Sequence, residues 1–337
     1  MKKIIVCSLT TMSLLALTLS AQEVHITIPK IPEVPTVVVE KEKDVTGEVK
    51  KAAPVALQKQ EVSFSHKVAP HLQKKAKTTK KATAVGDVVN GRVAAYLEMP
   101  AMDKAALKKA IHDAGFNIKA IMKVDEKGDV LSYVITNPTL IKLASKPNRG
   151  FGATLRITLD KKDNLISITN PKYILKAFLQ DDYDPKAADE LLTSLRDGFK
   201  ELQNSSEMIK FSAVSNFVFM KGMPGYGNME TLAKADNTRL LNKARASKRI
   251  IFEQKLQNGS VLIGVSLSKE TSKFIQKTGF SHAALLPYPV LIENGEAKTL
   301  DPKYYIAVMY PKLKMSQFMQ IAAIPDVIDK ELDLLFR

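Results

Sequence analysis

Few residues of this 337-residue chain combine the types and spacings that carry chemistry. Met220, Met223 and Met229 fall together in FMKGMPGYGNM, and soft thioethers at short spacing could hold Cu(I). Against this, methionine is also an adaptable filler of irregular cores, and Met220 ends an apolar run. Asp181, Asp182 and Asp184 in QDDYDP offer hard oxygen ligands, but without EF-hand spacing or its terminal Glu they read as a solvated turn before a proline-started helix. Gly222 to Gly227 (GMPGYG) has neither the Walker lysine nor the G-x-G-x-x-G order, so it makes no phosphate cradle. His112 lies on the polar side of an expected helix, and His282 stands in FSHAALLP near a strand start. Neither histidine comes with a G-x-S-x-G elbow, so a nucleophile triad has no support. The one cysteine, Cys7, sits in the N-terminal apolar run, which excludes disulfides, thiol nucleophiles and thiolate metal sites from the rest of the chain. The expectation is no catalytic residue, no cofactor and no assigned metal site.

Charge and the N-terminus narrow the partners. The formal net charge is +15, which favours nucleic acid, anionic lipid, acidic glycan or an acidic protein. Met1-Lys2-Lys3 followed by IIVCSLTTMSLLALTLSA reads as a secretory signal over residues 1–21, cleaved near Ser20 or Ala21, with an uncleaved membrane anchor as the other reading. Either places the bulk of the chain outside the cytoplasm, periplasmic or secreted, and argues against nucleic acid; membrane association follows only if the signal is retained. Residues 22–91 read as an arm: VHITIPKIPEVPTVVVE is punctuated by proline, and Lys50 to Lys81 holds nine lysines against the lone Glu61. Such a segment is a solvated linker or a contact to an anionic envelope surface or acidic protein, each lysine being worth up to about 1 kcal/mol near anionic lipid. His66 and His71 belong to this arm and have no further ligand near them.

The elements that must position any site are laid out twice. Gly128 to Lys146 (GDVLSYVITNPTLIKLASK) lies over Gly259 to Lys277 (GSVLIGVSLSKETSKFIQK) at a shift of 131. Ile166 to Leu179 lies over Ile306 to Met319 at an apparent shift of 140, which places a longer loop, ENGEAKTLDPK, in the second copy. A repeat of this length is a whole domain rather than a solenoid unit. The first copy, 92–205, reads as a strand over Val93 to Glu98, a helix capped by Asp103 and closed by Gly115, and strands Asn117 to Val124 and Val130 to Thr136. It continues with a short helix after Asn137-Pro138, strands Thr154 to Leu159 and Leu165 to Thr169, and helices from Pro171 and Pro185. The second copy, 206–337, reads as a strand over Lys210 to Met220, a long helix Met229 to Ala246, and strands Ile250 to Lys255 and Val261 to Leu267. A short helix Lys269 to Gln276, strands Leu285 to Ile292 and Tyr304 to Tyr310, and helices from Pro311 and Pro325 complete it. The order is α+β.

Gly115-Phe116, Asn137-Pro138 and Asn170-Pro171 in the first copy, with Leu286-Pro287 and Tyr310-Pro311 in the second, form an ordered pattern that resembles the bacterial domain-of-unknown-function family three hundred and two. The first copy departs from it at Arg156, where proline is expected, and the second at Ser268-Lys269, where Asn-Pro is expected. The resemblance implies a compact α+β domain that pairs with a copy of itself; it implies no activity, and no catalytic residue is carried over. The expected molecule is thus a monomer whose two copies pack as an intramolecular pseudo-dimer, with Arg156, Tyr288 and Tyr310 near the cleft between them. The expected function is that of an exported, non-enzymatic binding or scaffold protein of the cell envelope. A small-ligand or Cu(I) carrier using the cleft is the alternative, and an enzyme of unrecognised type the third class.

Overall fold

Local signals in the first copy do what their chemistry dictates. The computed structural model describes residues 84–337; the signal and the lysine-rich part of the arm lie outside them. Chain order gives strands β1 (Arg92–Ala94) and β2 (Tyr96–Pro100), helix α1 (Lys104–Asp113), strands β3 (Asn117–Lys123) and β4 (Val130–Thr136) and helix α2 (Pro138–Ala144). After a 3₁₀ turn, Gly150–Ala153, come β5 (Leu155–Asp160), β6 (Leu165–Thr169), α3 (Pro171–Leu179), α4 (Pro185–Gly198) and the short β7 (Gln203–Asn204). Asp103 accepts from the Ala105 and Ala106 amides, Asn137 from Leu140 and Asp184 from Lys186 and Ala187, so each helix starts where a side chain satisfies its free N–H groups. Gly115, at φ 77°, releases the chain from α1.

The second copy has β8 (Met208–Lys210), β9 (Met229–Lys234), α5 (Asn237–Ala246), β10 (Ile250–Lys255), β11 (Val261–Val265), α6 (Lys269–Ser272) and α7 (Phe274–Thr278). A 3₁₀ turn, Phe280–Leu285, then leads to β12 (Tyr288–Glu293), β13 (Glu296–Leu300), α8 (Pro302–Met309), α9 (Met315–Gln320) and α10 (Ile324–Asp333). Three expectations fail here. The strand expected over Lys210 to Met220 is only β8, which pairs with β1, and turns follow it. The helix expected from Met229 begins at Asn237, because Asp236 caps the Arg239 amide; Met229–Lys234 instead pairs with β13. Tyr304 to Tyr310 is helix, because Asp301 caps the Lys303 amide ahead of Pro302 just as Asn170 caps Lys172 ahead of Pro171. NPKY at 170–173 therefore corresponds to DPKY at 301–304, again a shift of 131. Pro302, not Pro311, is the counterpart of Pro171, and the expected longer loop ENGEAKTLDPK is instead a tight hairpin into β13.

Both large sheets are antiparallel. The first runs β3-β4-β5-β6-β2-β7 and the second β10-β11-β12-β13-β9, the same order once β7 is set aside. The β3/β4 and β10/β11 ladders each carry an irregularity, between Ile118 and Ala120 and between Ile250 and Phe252, opposite the Ile135/Val134 and Val265/Gly264 steps. Aligned on these bulges, Leu131 matches Val261 and Ser132 matches Leu262, one residue off the register in which Val130 matches Val261. Val130 and Val261 both begin the second strand of their sheets but point to opposite faces.

The expected arm also ends earlier than Gly91. Residues 84–89 pack on the first sheet: the Gly86 amide donates to Asn204 Oδ1 (2.7 Å), and Asp87 lies 2.9 Å from both Lys172 Nζ and Arg196 Nη2. Burial pushes the Asp87 carboxyl up, but the hydrogen bonds from Lys172, Arg196 and the Ala84 amide outweigh it and hold its pKa at about 2.

Candidate functional site

The two copies meet by exchanging equivalent parts. The 3₁₀ turn Phe280–Leu285 of the second copy lies over β4, β5 and β6, and Gly150–Ala153 of the first lies over β11 and β12. One apolar core runs unbroken through both copies. Strand alternation fixes which side chains line this seam. On the first sheet they include Arg156, Thr158 and Asp160 of β5, with Ser132, Ser167 and Glu98 in the row through Thr158. The Ser132 hydroxyl donates across the seam to the Leu286 carbonyl. On the second sheet Leu262, Pro289 and Leu291 form the apolar middle of the lining, with Gln254, Glu293 and Lys298 on the same face toward its edge, and a Cβ on Gly150 would stand 2.3 Å from Leu291 Cδ1. A polar lock closes one end: Glu293, 2 % exposed, accepts the Asn148 amide (2.8 Å), and Lys298 donates to Asn148 Oδ1 (2.6 Å).

Of the residues expected at the cleft, Arg156 lies in the seam, Tyr310 at its end and Tyr288 behind it. Arg156 is 5 % exposed, with its guanidinium carbon 5.2 Å from the centre of the Phe252 ring, and its Nη1 has no hydrogen-bond partner. Burial draws its pKa below the usual arginine value, with the Tyr305 hydroxyl acting in the opposite direction. Tyr288 turns into the core of its own copy, where its ring meets Tyr305 edge-on at 5.0 Å and its hydroxyl donates to Leu300 O (3.3 Å); its neighbour Pro289 takes the seam position. Between Arg156, Tyr305, Phe178 and Pro289 the seam leaves a void of about 10 Å³, room for one water at most.

Tyr310 packs its ring 3.7 Å from that of His282. His282 Nε2 is 2.8 Å from both oxygens of Glu207, and Nδ1 is 2.8 Å from Ser281 Oγ. A carboxylate only accepts, so Nε2 carries a proton and, in the neutral ring, Nδ1 accepts from the serine. Tyr96 closes the other side, edge-on to the imidazole at 5.3 Å, and its hydroxyl donates to the Met309 carbonyl. Burial first and the Glu207 charge second raise the Tyr96 hydroxyl well above its usual value and also raise the Glu98 carboxyl. Hydroxyl, imidazole and carboxylate are the parts of a nucleophile set. Here the serine and histidine are consecutive on a turn, and neither the seam void nor the groove below reaches Ser281. What the set does physically is join the inter-copy connection, whose Glu207 carbonyl accepts the Ala95 amide, to the turn that covers the first sheet. Sequence reading placed Glu207 only at a domain boundary; no local pattern links it to a histidine 75 positions on.

A ligand-sized opening does exist, but away from the expected residues. A groove of about 460 Å³ runs where β3 and β10 approach, lined by Met122, Val124, Ile251 and Leu267, with Lys123 and Lys273 among its charged residues and Lys269 bonded to Glu126 (2.8 Å) across the copies. The methionines serve different parts of the fold. Met229 opens β9 opposite Leu300 and packs on the core, whereas Met220 and Met223 close a turn (Met223 N to Met220 O, 3.0 Å) and Met220 is 47 % exposed. Among the described residues no three His, Cys, Asp or Glu side chains gather as metal ligands, and no helix is long and apolar enough to cross a membrane. Glu230 of β9 and Asp329 of α10 are neighbouring carboxylates; burial first and then Glu230 and the other acids raise Asp329 to about 8. Compared with protein-family models, curated proteins and solved structures, the chain finds no match.

Proposed function

We propose that this chain is an exported, non-enzymatic binding or scaffold protein of the cell envelope, made of two diverged copies of one α+β domain and tethered by its lysine-rich arm to an anionic surface. The closed part of the seam carries the reading: the copies cover each other's sheets reciprocally, and around Arg156 and Pro289 the space left is about 10 Å³, against the roughly 300–1,000 Å³ of a small-molecule site. The shared sheet order, the matching bulges and the paired NPKY and DPKY helix starts support duplication. A second reading, a small-ligand carrier, is favoured by the 460 Å³ groove between β3 and β10, whose apolar walls and mixed rim of Lys123, Lys269 and Lys273 with Asp125 and Glu126 suit an amphipathic molecule.

The tether is tested by replacing the nine arm lysines, Lys50 to Lys81, with glutamine and sedimenting the full chain with phosphatidylglycerol vesicles at low salt. At up to about 1 kcal/mol per lysine, retention should fall by more than tenfold. Unchanged retention would remove the arm from the proposal.

A further inference from the structure

Four of the seven large apolar side chains exposed among the described residues lie on two adjoining segments: Val218 (40 %) and Met220 (47 %) on the loop before β9, and Met315 (45 %) and Met319 (64 %) on α9. The Phe219 and Phe318 rings, 4.9 Å apart, join the loop to the helix beneath them. The surrounding charge has one sign. No acid occurs from Met208 to Asn228 or from Tyr310 to Pro325, whereas Lys210, Lys221, Lys312 and Lys314 do, and Lys277 reaches the end of α9 at Gln320 O (3.3 Å). A cluster of exposed apolar groups on one face marks an interaction surface.

We propose that this face docks on an anionic phospholipid bilayer, with Met220, Met315 and Met319 entering the boundary between headgroups and acyl chains and Lys221, Lys312 and Lys314 meeting lipid phosphates. Flexible thioether chains above an aromatic pair suit a fluid, irregular partner, and lysines can hold their charge at headgroup level while their stems follow the apolar surface. An acid-free, lysine-bordered rim selects a negatively charged surface. The inference deepens the envelope reading and rests on it for the presence of such a membrane. It adds a second attachment, on the folded part of the chain, so that the protein would lie on the bilayer in one orientation rather than swing from its arm.

The chain has no tryptophan, so one introduced residue reports its own surroundings. Met319→Trp, with Lys186→Trp on the outer surface of α4 as reference, is prepared in the full chain, and both variants are checked for an unchanged unfolding midpoint. With phosphatidylglycerol vesicles the Met319→Trp emission should shift to the blue and be quenched by brominated acyl chains, and Lys186→Trp should do neither. Met315→Ser/Met319→Ser should weaken vesicle binding at high salt by about tenfold, equivalent to roughly two methylenes withdrawn from the bilayer. Co-sedimentation without a shift at Met319→Trp would overturn this inference and leave the arm as the tether. No co-sedimentation would overturn both. A concentration-dependent shift without vesicles would assign the face to a second copy of the chain instead of lipid.

Discussion

Replacing Arg156 with methionine should make the protein more stable. Arg156 is 5 % exposed, its Nη1 is buried without a partner, and what the guanidinium meets is the Phe252 ring at 5.2 Å. A buried charge without a counter-ion costs several kcal/mol, and an unsatisfied buried donor about 1–3 kcal/mol. The interaction with Phe252 returns about 1–2 kcal/mol, and methionine keeps most of the side chain's volume and flexibility. The balance favours Arg156→Met by about 2 kcal/mol, which for a folded part of this size raises the thermal midpoint by roughly 4–8 °C. Thermal and urea unfolding followed by circular dichroism measure it, with equal urea slopes required of both proteins. A loss of 1 kcal/mol or more would refute the reasoning and show that the charge is balanced in the seam, by ordered water or a bound anion.

Two further changes test the seam and the acid pair. Gly150→Ala drives a Cβ to within 2.3 Å of Leu291 Cδ1 and 3.2 Å of Leu256 Cδ1, so urea unfolding should show a loss of about 1–3 kcal/mol; an unaltered midpoint would mean that the two leucine side chains have room to move aside and that the seam is not tightly packed there. Asp329, raised from 3.8 to about 8, keeps a proton in the folded chain that the unfolded chain has already released, so stability should fall as pH rises from about 4 to about 8 and level off above that. Full linkage over that interval would be about 5 kcal/mol, which solvent screening at this half-buried site reduces to roughly 1–2 kcal/mol. Asp329→Asn should flatten that slope in urea titrations at pH 5 and pH 8, and an unchanged slope would show that the pair with Glu230 does not titrate as described.

How much of this was legible depends on range. Helix starts that a single side chain satisfies, Asp103, Asn137 and Asp184, were readable because the capping group and the freed amides lie within three residues. The repeat at 131 was readable where Gly128 and Gly259 both mark turns at positive φ. The second copy was misread where a local signal had two candidates: Pro302 and Pro311 both look like helix starts, and only the hairpin Glu293-Asn294-Gly295-Glu296 before Asp301 decides between them. Met229–Lys234 carries no strong strand pattern; its place beside β13 makes it a strand, which is a tertiary effect. The Glu207–His282 contact and the groove at Met122 and Ile251 arise from how the copies dock, and no spacing along the chain encodes that.

The seam's asymmetry bears on how a fused pair differs from a true dimer. Two identical subunits related by a two-fold axis must use one self-complementary surface, so every seam residue faces constraints from both sides. Two halves of one chain escape that requirement, because each need only fit the other. Here the middle of one sheet offers Ser132, Thr158, Ser167 and Arg156, and the middle of the other answers with Leu262, Pro289 and Leu291, its polar Gln254, Glu293 and Lys298 standing toward the edge. The same divergence separates Tyr173, whose hydroxyl donates to Val308 O at 2.7 Å, from Tyr304 one repeat later, whose buried hydroxyl has no partner. A first-copy face set against itself would oppose Arg156 to Arg156, whereas here the guanidinium meets Pro289 and the Phe252 ring; the Thr158 and Ser167 hydroxyls are buried without partners even against this face. Arg156 thus favours the face that sets Pro289 and Phe252 against it over a second copy of its own, which is what a single rigid body requires if it is to present its outer surfaces in one fixed arrangement.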